Sequence, residues 1–322
     1  LQVQRSLRFR SSASAYLNKT PASAGNRTTW TWSAWVKRGA LGSTAPIFSA
    51  GPTGATDTAV YFTSSVNQIS FFTRTSGTLN GYITTNANYR DPSAWYHIVV
   101  VYDSTNATST NRMLLYVNGV NQSMQSGSYW PSQNTTSAMN NNVTHYIGEL
   151  SDGSGLFDGY LADINFIDGQ ALDPTYFGEY SPDTGVWRAK KYTGSYGTNG
   201  FYLDFSDPTS TTTLGYDRSG RGNNWTTNNI SVTAGSTYDS MLDVPSNWSG
   251  SNPVYARGNY ALMNPLTGSA TLSAANLNVS GVDVSSIGTI AFPVTGKWYF
   301  ELDCGANVSA TNNDGVGIAT AS

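Results

Sequence analysis

The chain has 322 residues, a net charge of −3 and only 11% charged side chains, against about 25% in ordinary soluble domains. So little charge excludes a basic nucleic-acid-binding face: the densest basic cluster is Arg188-Ala189-Lys190-Lys191, too short to track a phosphate backbone. No apolar run approaches the roughly 18 residues of a membrane-spanning helix, and no signal peptide opens the chain. Leu1 in place of a methionine implies a processed or partial polypeptide. Cys304 is the sole cysteine, so an intrachain disulfide is excluded and synthesis in a reducing compartment is expected. N-x-S/T sequons such as Asn18, Asn106, Asn142 and Asn224 reflect abundant Asn, Ser and Thr, not secretion.

Glu149, Glu179 and Glu301 are the only glutamates, which argues against long solvent-facing helices. Aromatic residues at 13%, with many Thr and Val, favour strands. Ser6–Phe9 and Ala15–Asn18 read as short edge strands. Thr29–Lys37 alternates cleanly, with Trp30, Trp32, Ala34 and Val36 on one face. The runs APIFSA, AVYFTS, QISFFTR and GYITT follow, each bounded by turn residues. Trp95–Asp103 is denser in apolar residues and is expected to be a central strand. Arg112–Val120, HYIGEL and DGYLADINFI complete the series. Many short strands with no helical period between them predict an antiparallel β-sandwich.

In the last of these runs, strict alternation puts Tyr160, Ala162, Ile164 and Phe166 on the core face and Leu161, Asp163 and Asn165 on a wet face. Asp158 and Asp168 then read as loop acids. Asp168-Gly169 is a turn signal, and Ala171–Tyr180 is expected to form a short capping helix. From Pro182 to about Pro253 the chain becomes turn-rich, with one strand expected at Gly200–Phe205. Trp187, Phe201, Phe205 and Trp225 are too many large apolar groups for a flexible linker. A second strand-rich region follows, too short for a complete sandwich: either the polypeptide continues or a partner completes its core. The expected organisation is a sandwich over 1–182, an ordered connector over 183–253, and the start of a second β domain over 254–322.

Trp95, His97 and Val99, a polar loop, and then Leu115, Tyr116, Val117, Asn118 and Gly119 resemble the middle of laminin-G-like, concanavalin A-like lectin/glucanase domains. Phe157, Gly159, Leu161, Ile164, Phe166, Ala171 and Leu172 resemble the closing element of the same family. The resemblance runs from Ser6 to Tyr180 and implies an all-β, antiparallel jelly-roll sandwich. Gly296, Lys297, Trp298, Tyr299, Phe300 and Glu301, with Gly315, Val316, Gly317 and Ile318, are similar to the start of a SPRY domain. The intervening GTNGFYLDFSD, YDRSGRGNNWT and GNYALMNPL resemble the connector of tailed-phage virion proteins. That likeness implies a virion structural protein.

Catalysis is not expected. Glucanases of this fold carry clustered carboxylates on one strand, and hydrolysis needs two at roughly 5–10 Å. Glu301 and Asp303 share a strand face but lack a further Glu, and Glu149 and Asp152 are not spaced for one face. His97 and His145 lack the spacing of a metal pair; His97 reads as a packing residue, and Cys304 as a small buried one. No cofactor is expected, although Asp57, Asp103, Asp152 and Asp158 are weak candidates for a calcium rim. Tyr89, Tyr129 and Trp130, beside Asn and Ser, have the ring faces and hydrogen-bonding groups that hold sugars. The resemblance implies an exposed appendage such as a tail fibre, made in the host cytoplasm and extracellular after release. Its expected partners are other virion proteins, copies of itself in a homo-oligomer (a trimer favoured) and a host surface glycan. A decoration or joint protein that binds viral subunits and no sugar is the alternative.

Overall fold

The computed structural model describes residues 2–246, 257–281, 284–292, 295 and 300–303. The chain divides into two compact units, Leu1–Ile290 and Ala291–Ser322. Gly296, Lys297, Trp298, Tyr299, Cys304 and Gly315 to Ile318, which carry the SPRY likeness and the lone thiol, lie outside the described residues.

The first unit begins with strands β1 (Ser6–Phe9), β2 (Tyr16–Lys19), β3 (Thr29–Arg38), β4 (Ala45–Ala50) and β5 (Thr58–Phe62). Next come β6 (Ile69–Thr75), β7 (Thr78–Thr84), β8 (Trp95–Asp103), β9 (Met113–Val117) and β10 (Val120–Asn121). Then follow β11 (His145–Ile147), β12 (Gly159–Asp168), β13 (Gly178–Tyr180), β14 (Trp187–Ala189) and β15 (Phe201–Leu203). The last are β16 (Thr226–Asn228), β17 (Ser240–Met241), β18 (Thr271–Ser273) and β19 (Asn278–Ser280). One sheet has the order β10-β9-β8-β3-β12-β1-β17, with β15 also paired to β12; the other is β16-β2-β11-β4-β5-β6-β7. All their pairings are antiparallel. Strands β8-β9-β10 and β4-β5-β6-β7 run on as neighbours, whereas β3 pairs with β8 and β12, β1 with β12, and β11 with β2 and β4, the long crossovers of jelly-roll winding.

The two sheets close on a core in which Trp32 stacks on Phe48 at 5.6 Å and Trp30 on Tyr102 at 5.5 Å. Trp30, Trp32, Ala34 and Val36 enter it together, as alternation along β3 requires. The opposite face of the larger sheet is covered too. Trp35, Trp95, Tyr160 and Trp187 form one apolar cluster there, and Val99, Val101, Phe177, Tyr192 and Tyr196 another. Every residue of β12 is therefore buried.

The β12 register jumps between Ala162 and Asn165, where Asp163 takes a left-handed φ of 52°. This β-bulge reverses the side-chain phase. Leu161, Ile164 and Phe166 point into the main core, while Tyr160 and Ala162 point to the covered outer face. Strict alternation assigns Tyr160, Leu161 and Ala162 to the wrong faces and Ile164 and Phe166 to the right one. It also makes Asp163 and Asn165 wet; they are 3% and 2% exposed.

Asp158 and Asp168 are buried rather than solvated loop acids. Asp158 accepts from the backbone and hydroxyl of Ser11. Asp168 accepts from the amides of Asn26, Thr198 and Asn199 and from the side chain of Asn140. The capping helix expected over Ala171–Tyr180 is a single 3₁₀ turn at Pro174–Tyr176, N-capped by Asp173, after which the chain extends as β13.

The sheets do not end at Pro182. The strand expected at Gly200–Phe205 is β15, which adds to β12; β16 adds to β2 and β17 to β1. Phe201, Phe205 and Trp225 sit in the main core. In the later region, β18 and β19 form a hairpin through Ala274, Ala275 and Asn276, all at positive φ. Residues 300–303 carry no strand.

The motif residues are explained by packing. Asn118-Gly119, at φ 49° and 82°, makes the two-residue turn between β9 and β10. A side chain at position 119 would meet the Trp187 ring at 2.6 Å. Asn118 accepts from the His97 amide at 2.8 Å through Oδ1 and donates its own amide to the His97 carbonyl at 2.8 Å.

Candidate functional site

Three strands of the smaller sheet alternate an apolar inner face with an aromatic and hydroxylated outer one. Val60 and Phe62 of β5, Ile69 and Phe71 of β6, and Ile83 of β7 enter the core. Their neighbours Tyr61, Ser70, Phe72, Arg74, Tyr82 and Thr84 take the opposite face. Register then aligns two cross-strand rows there: Tyr61, Ser70 and Thr84 in one, and Ala59, Phe72 and Tyr82 in the other. Tyr129 extends the second row by a backbone bridge to Tyr82, with 2.8 Å hydrogen bonds in both directions.

The rings contact one another: Tyr61 and Phe72 at 6.0 Å edge-on, and Tyr82 and Tyr129 at 6.5 Å. Beneath them Ser70 and Thr84 share a 2.8 Å hydrogen bond and are buried. Burial, together with the neighbouring Tyr82, raises the pKa of Tyr61. The guanidinium of Arg74 lies 5.1 Å from the Phe72 ring centre and pairs with Asp57 at 3.2 Å. Phe72 is buried, Tyr61 and Tyr82 are half-buried and Tyr129 is exposed, so the surface presents tyrosine rings over an aromatic and hydroxyl floor, beside a cation neutralised by Asp57. Such a surface offers stacking area and alternating donors and acceptors.

A second concavity of about 340 Å³ lies between Asn88–Tyr96 and the segment around Asn264 and Thr289. Asn88, Arg90, Asp91 and Asn264 make its lining polar.

Tyr129 is the one sequence-derived candidate on the aromatic face, and it is 40% exposed. Tyr89 is buried: its hydroxyl donates to Gln122 at 2.7 Å and its ring packs edge-on against Tyr96. Trp130 is half-buried against the core, its indole N–H donated to the Met113 carbonyl. Tyr89 is turned inward, and Trp130 packs against the main core instead of joining the β5–β6–β7 face. Tyr61, Phe72 and Tyr82 are the residues that sequence reasoning missed. Their signal was the aromatic pairs Tyr61-Phe62 and Phe71-Phe72: adjacent strand residues point opposite ways, so one ring of each pair must face outward.

The calcium candidates have other work. Asp57 is tied to Arg74 and to the Gly54 amide, with its pKa raised mainly by burial. Asp103 and Asp152 each hold a turn by accepting from the residue two ahead, Thr105 and Ser154. Asp158 accepts from Ser11 through Oδ2, while its Oδ1 is buried without a partner. Among the described residues no three His, Cys, Asp or Glu side chains cluster as metal ligands. Glu149 has its pKa raised by burial and by Asp152.

Both histidines are interior and uncharged, in opposite tautomers. His97 Nδ1 accepts from Trp187 Nε1 at 2.9 Å, which leaves Nε2–H for Ser33 Oγ at 2.9 Å. His145 Nδ1–H donates to the Val143 carbonyl, and its Nε2 accepts the Asn140 amide. Burial pushes their pKa values down, to about 3 for His97 and about 4 for His145.

No curated protein sequence matches the chain. Among solved structures, the chain is similar to the heptameric SAP-like pentraxin of Limulus polyphemus (18% identity, 53% of this chain, 79% of that one, TM-score 0.37). It is also similar to a candidate carbohydrate-binding protein of Bacteroides ovatus (16% identity, 71% of this chain, 59% of that one, TM-score 0.39). A third is mouse laminin α1 domains LG4-5 (12% identity, 52% of this chain, 43% of that one, TM-score 0.38). The sequence profile of the concanavalin A-like lectin/glucanase superfamily, laminin-G type, matches residues 11–175, just over half of the chain. The chain belongs to the concanavalin A-like lectin/glucanase superfamily.

Proposed function

We propose that this protein is a lectin-like binding component of a tailed-phage particle, carried on an exposed appendage and directed at host surface glycans. The observation that carries the glycan reading is the aromatic face of Tyr61, Phe72, Tyr82 and Tyr129 over Ser70 and Thr84. Sugars present apolar ring faces and hydroxyls together, which such a surface complements. The virion reading is supported by the connector's resemblance and by the low-charge Ser/Thr/Asn/Gly composition. The reading is of binding and not hydrolysis: Asp57, the carboxylate beside the face, is held by Arg74. One shallow site would bind weakly, about millimolar. A homo-oligomer, a trimer in this reading, would gain avidity without new contacts.

A glycan array probed with the purified chain tests this, with Tyr129→Ala and Tyr82→Ala beside it. Retained folding with lost binding in both supports the site. Binding to no glycan, or binding unaffected by both changes, refutes it. A second reading, a decoration or joint protein that docks on viral subunits, is favoured by a different surface. Val120, Tyr180 and Val186 are more than half exposed around the β10 and β13–β14 turns, where the Tyr180 hydroxyl reaches the Asn118 carbonyl. Localisation in intact particles with this surface against other subunits, and no glycan binding, would establish the second reading.

A further inference from the structure

Near the C-terminal end of β3, Lys37 is fully buried. Its β-ladder neighbours are Tyr160 on one side and Trp95 on the other, both buried. Its Nζ lies 2.7 Å from Asp243 Oδ2, 2.7 Å from Asn259 Oδ1 and 2.6 Å from the Tyr260 carbonyl. Asp243 is itself buried, and its other oxygen accepts from Trp95 Nε1 at 2.9 Å. An amine, a carboxamide and a carboxyl group thus converge, the amine and the carboxyl group buried and the carboxamide at the surface above them.

We propose that Lys37 and Asn259 become joined by an intramolecular isopeptide bond, with Asp243 carrying the proton. The carboxamide carbon is one C=O bond, about 1.2 Å, beyond Oδ1, so it lies within about 3.9 Å of Nζ. That approaches the separation of a near-attack geometry. The lone pair of the uncharged amine attacks Cγ of Asn259. The Nζ–Cγ bond forms and the Cγ–Nδ2 bond breaks. A proton from Nζ passes by way of Asp243 to Nδ2, which leaves as ammonia, and Asp243 ends as it began. No oxidant, metal or cofactor takes part.

Burial shifts both groups towards the uncharged forms that this step uses. It lowers the pKa of Lys37 against the opposing charge of Asp243, and it raises that of Asp243 against the opposing charge of Lys37. The leaving nitrogen has an exit: Asn259 is exposed, and its Nδ2 donates outward to the Ser93 carbonyl at 2.7 Å. The bond would close a loop spanning 222 residues, locking the segment that carries Asp243 and Asn259 onto the larger sheet.

Intact mass spectrometry of the folded full-length chain is the test. The expected result is a mass lower by about 17 Da than the sequence requires, the loss of one ammonia, with a branched peptide joining Lys37 to Asn259 after proteolysis. Asn259→Ala, a change at an exposed position, should fold and keep its full mass. Asp243→Asn, checked for retained near-UV circular dichroism, should slow the loss by orders of magnitude. An unchanged wild-type mass after prolonged incubation overturns the proposal and leaves Lys37 a non-covalent anchor whose three acceptors satisfy an ammonium. Ammonia loss without the branched peptide, as succinimide formation at Asn118-Gly119 would give, also overturns it. So does loss of water with a Lys37–Asp243 branch.

Discussion

Trp187 donates its indole N–H to Nδ1 of His97 at 2.9 Å, across 90 residues of sequence. This bond decides which His97 nitrogen carries the proton and ties the β14 strand to the centre of the larger sheet. The His97 ring also packs against Trp35 at 4.9 Å. Trp187→Phe should keep much of the ring packing and leave Nδ1 unpaired in a dry site. A loss of about 1–3 kcal/mol is expected for an orphaned buried acceptor. Urea denaturation of the variant against wild type measures it; an unchanged midpoint would show that the bond contributes nothing.

Acid should weaken the fold through both histidines. Their folded pKa values, about 3 and about 4, lie below the unfolded 6.5 because burial disfavours the imidazolium. Below pH 6.5 the unfolded chain takes up protons that the folded chain refuses. Their contribution is therefore present above pH 6.5 and falls away as pH drops towards 4 and then 3. Thermal melts from pH 7 to pH 4 should show a falling midpoint, and His97 ring signals in NMR should show no titration across that range.

Asp163 acts in the opposite direction. At the β12 bulge its Oδ2 is buried without a partner, and burial raises its pKa to about 7. A raised folded pKa stabilises below the unfolded value of about 3.9, and that benefit is lost as pH rises through about 7. Asp163→Asn keeps a residue that tolerates the left-handed backbone and removes the charge. It should melt above wild type at pH 8 and close to it at pH 4. Equal midpoints at pH 8 would refute the burial of an ionised carboxylate there.

The bulge also marks the limit of what the sequence reveals about the sandwich. Alternation along Thr29–Lys37 identified the inward face of β3 because nothing interrupts that strand. In β12 the interruption is one residue, Asp163, with no glycine or proline beside it to flag a change of phase. The outer face of the larger sheet was illegible for a different reason. Trp35, Tyr160 and Ala162 are covered by segments more than 20 residues away in sequence, and local pattern says nothing of such cover. At the candidate site the same limit applies. Tyr129 could be found from its polar neighbours, whereas Tyr61, Phe72 and Tyr82 become one surface only through the β5–β6–β7 register.

Phe166 and Asn165 compare the two sides of the strand after the bulge. Phe166 stacks on Phe201 at 5.6 Å within the main core, and Phe166→Ala should cost about 3–5 kcal/mol. Asn165 is buried as well, with Oδ1 accepting from the Tyr196 hydroxyl at 2.8 Å. Asn165→Ala leaves that hydroxyl unpaired and should cost about 1–3 kcal/mol. Denaturation midpoints that fall in this order, both below wild type, are expected. A neutral Asn165→Ala would mean that its side is wet after all.

Asp239 tests how far along the chain the sandwich extends. Its carboxylate is buried and accepts from Arg8 Nε at 3.0 Å, from Arg10 through two nitrogens at 2.8 and 2.9 Å, and from the Ser231 amide at 2.8 Å. Removing one partner of a buried ion pair strands the other charge, at about 3–5 kcal/mol. Asp239→Ala should therefore destabilise β1, although the residue lies more than 50 positions beyond the capping turn. The same geometry predicts that a fragment ending at Pro182 fails to fold, because it lacks β15, β16 and β17 and leaves the places of Phe201 and Trp225 in the core empty. Near-UV circular dichroism of that fragment reads the outcome. A native-like spectrum would mean that the strands after Pro182 decorate a self-sufficient sandwich; its loss would make them part of one.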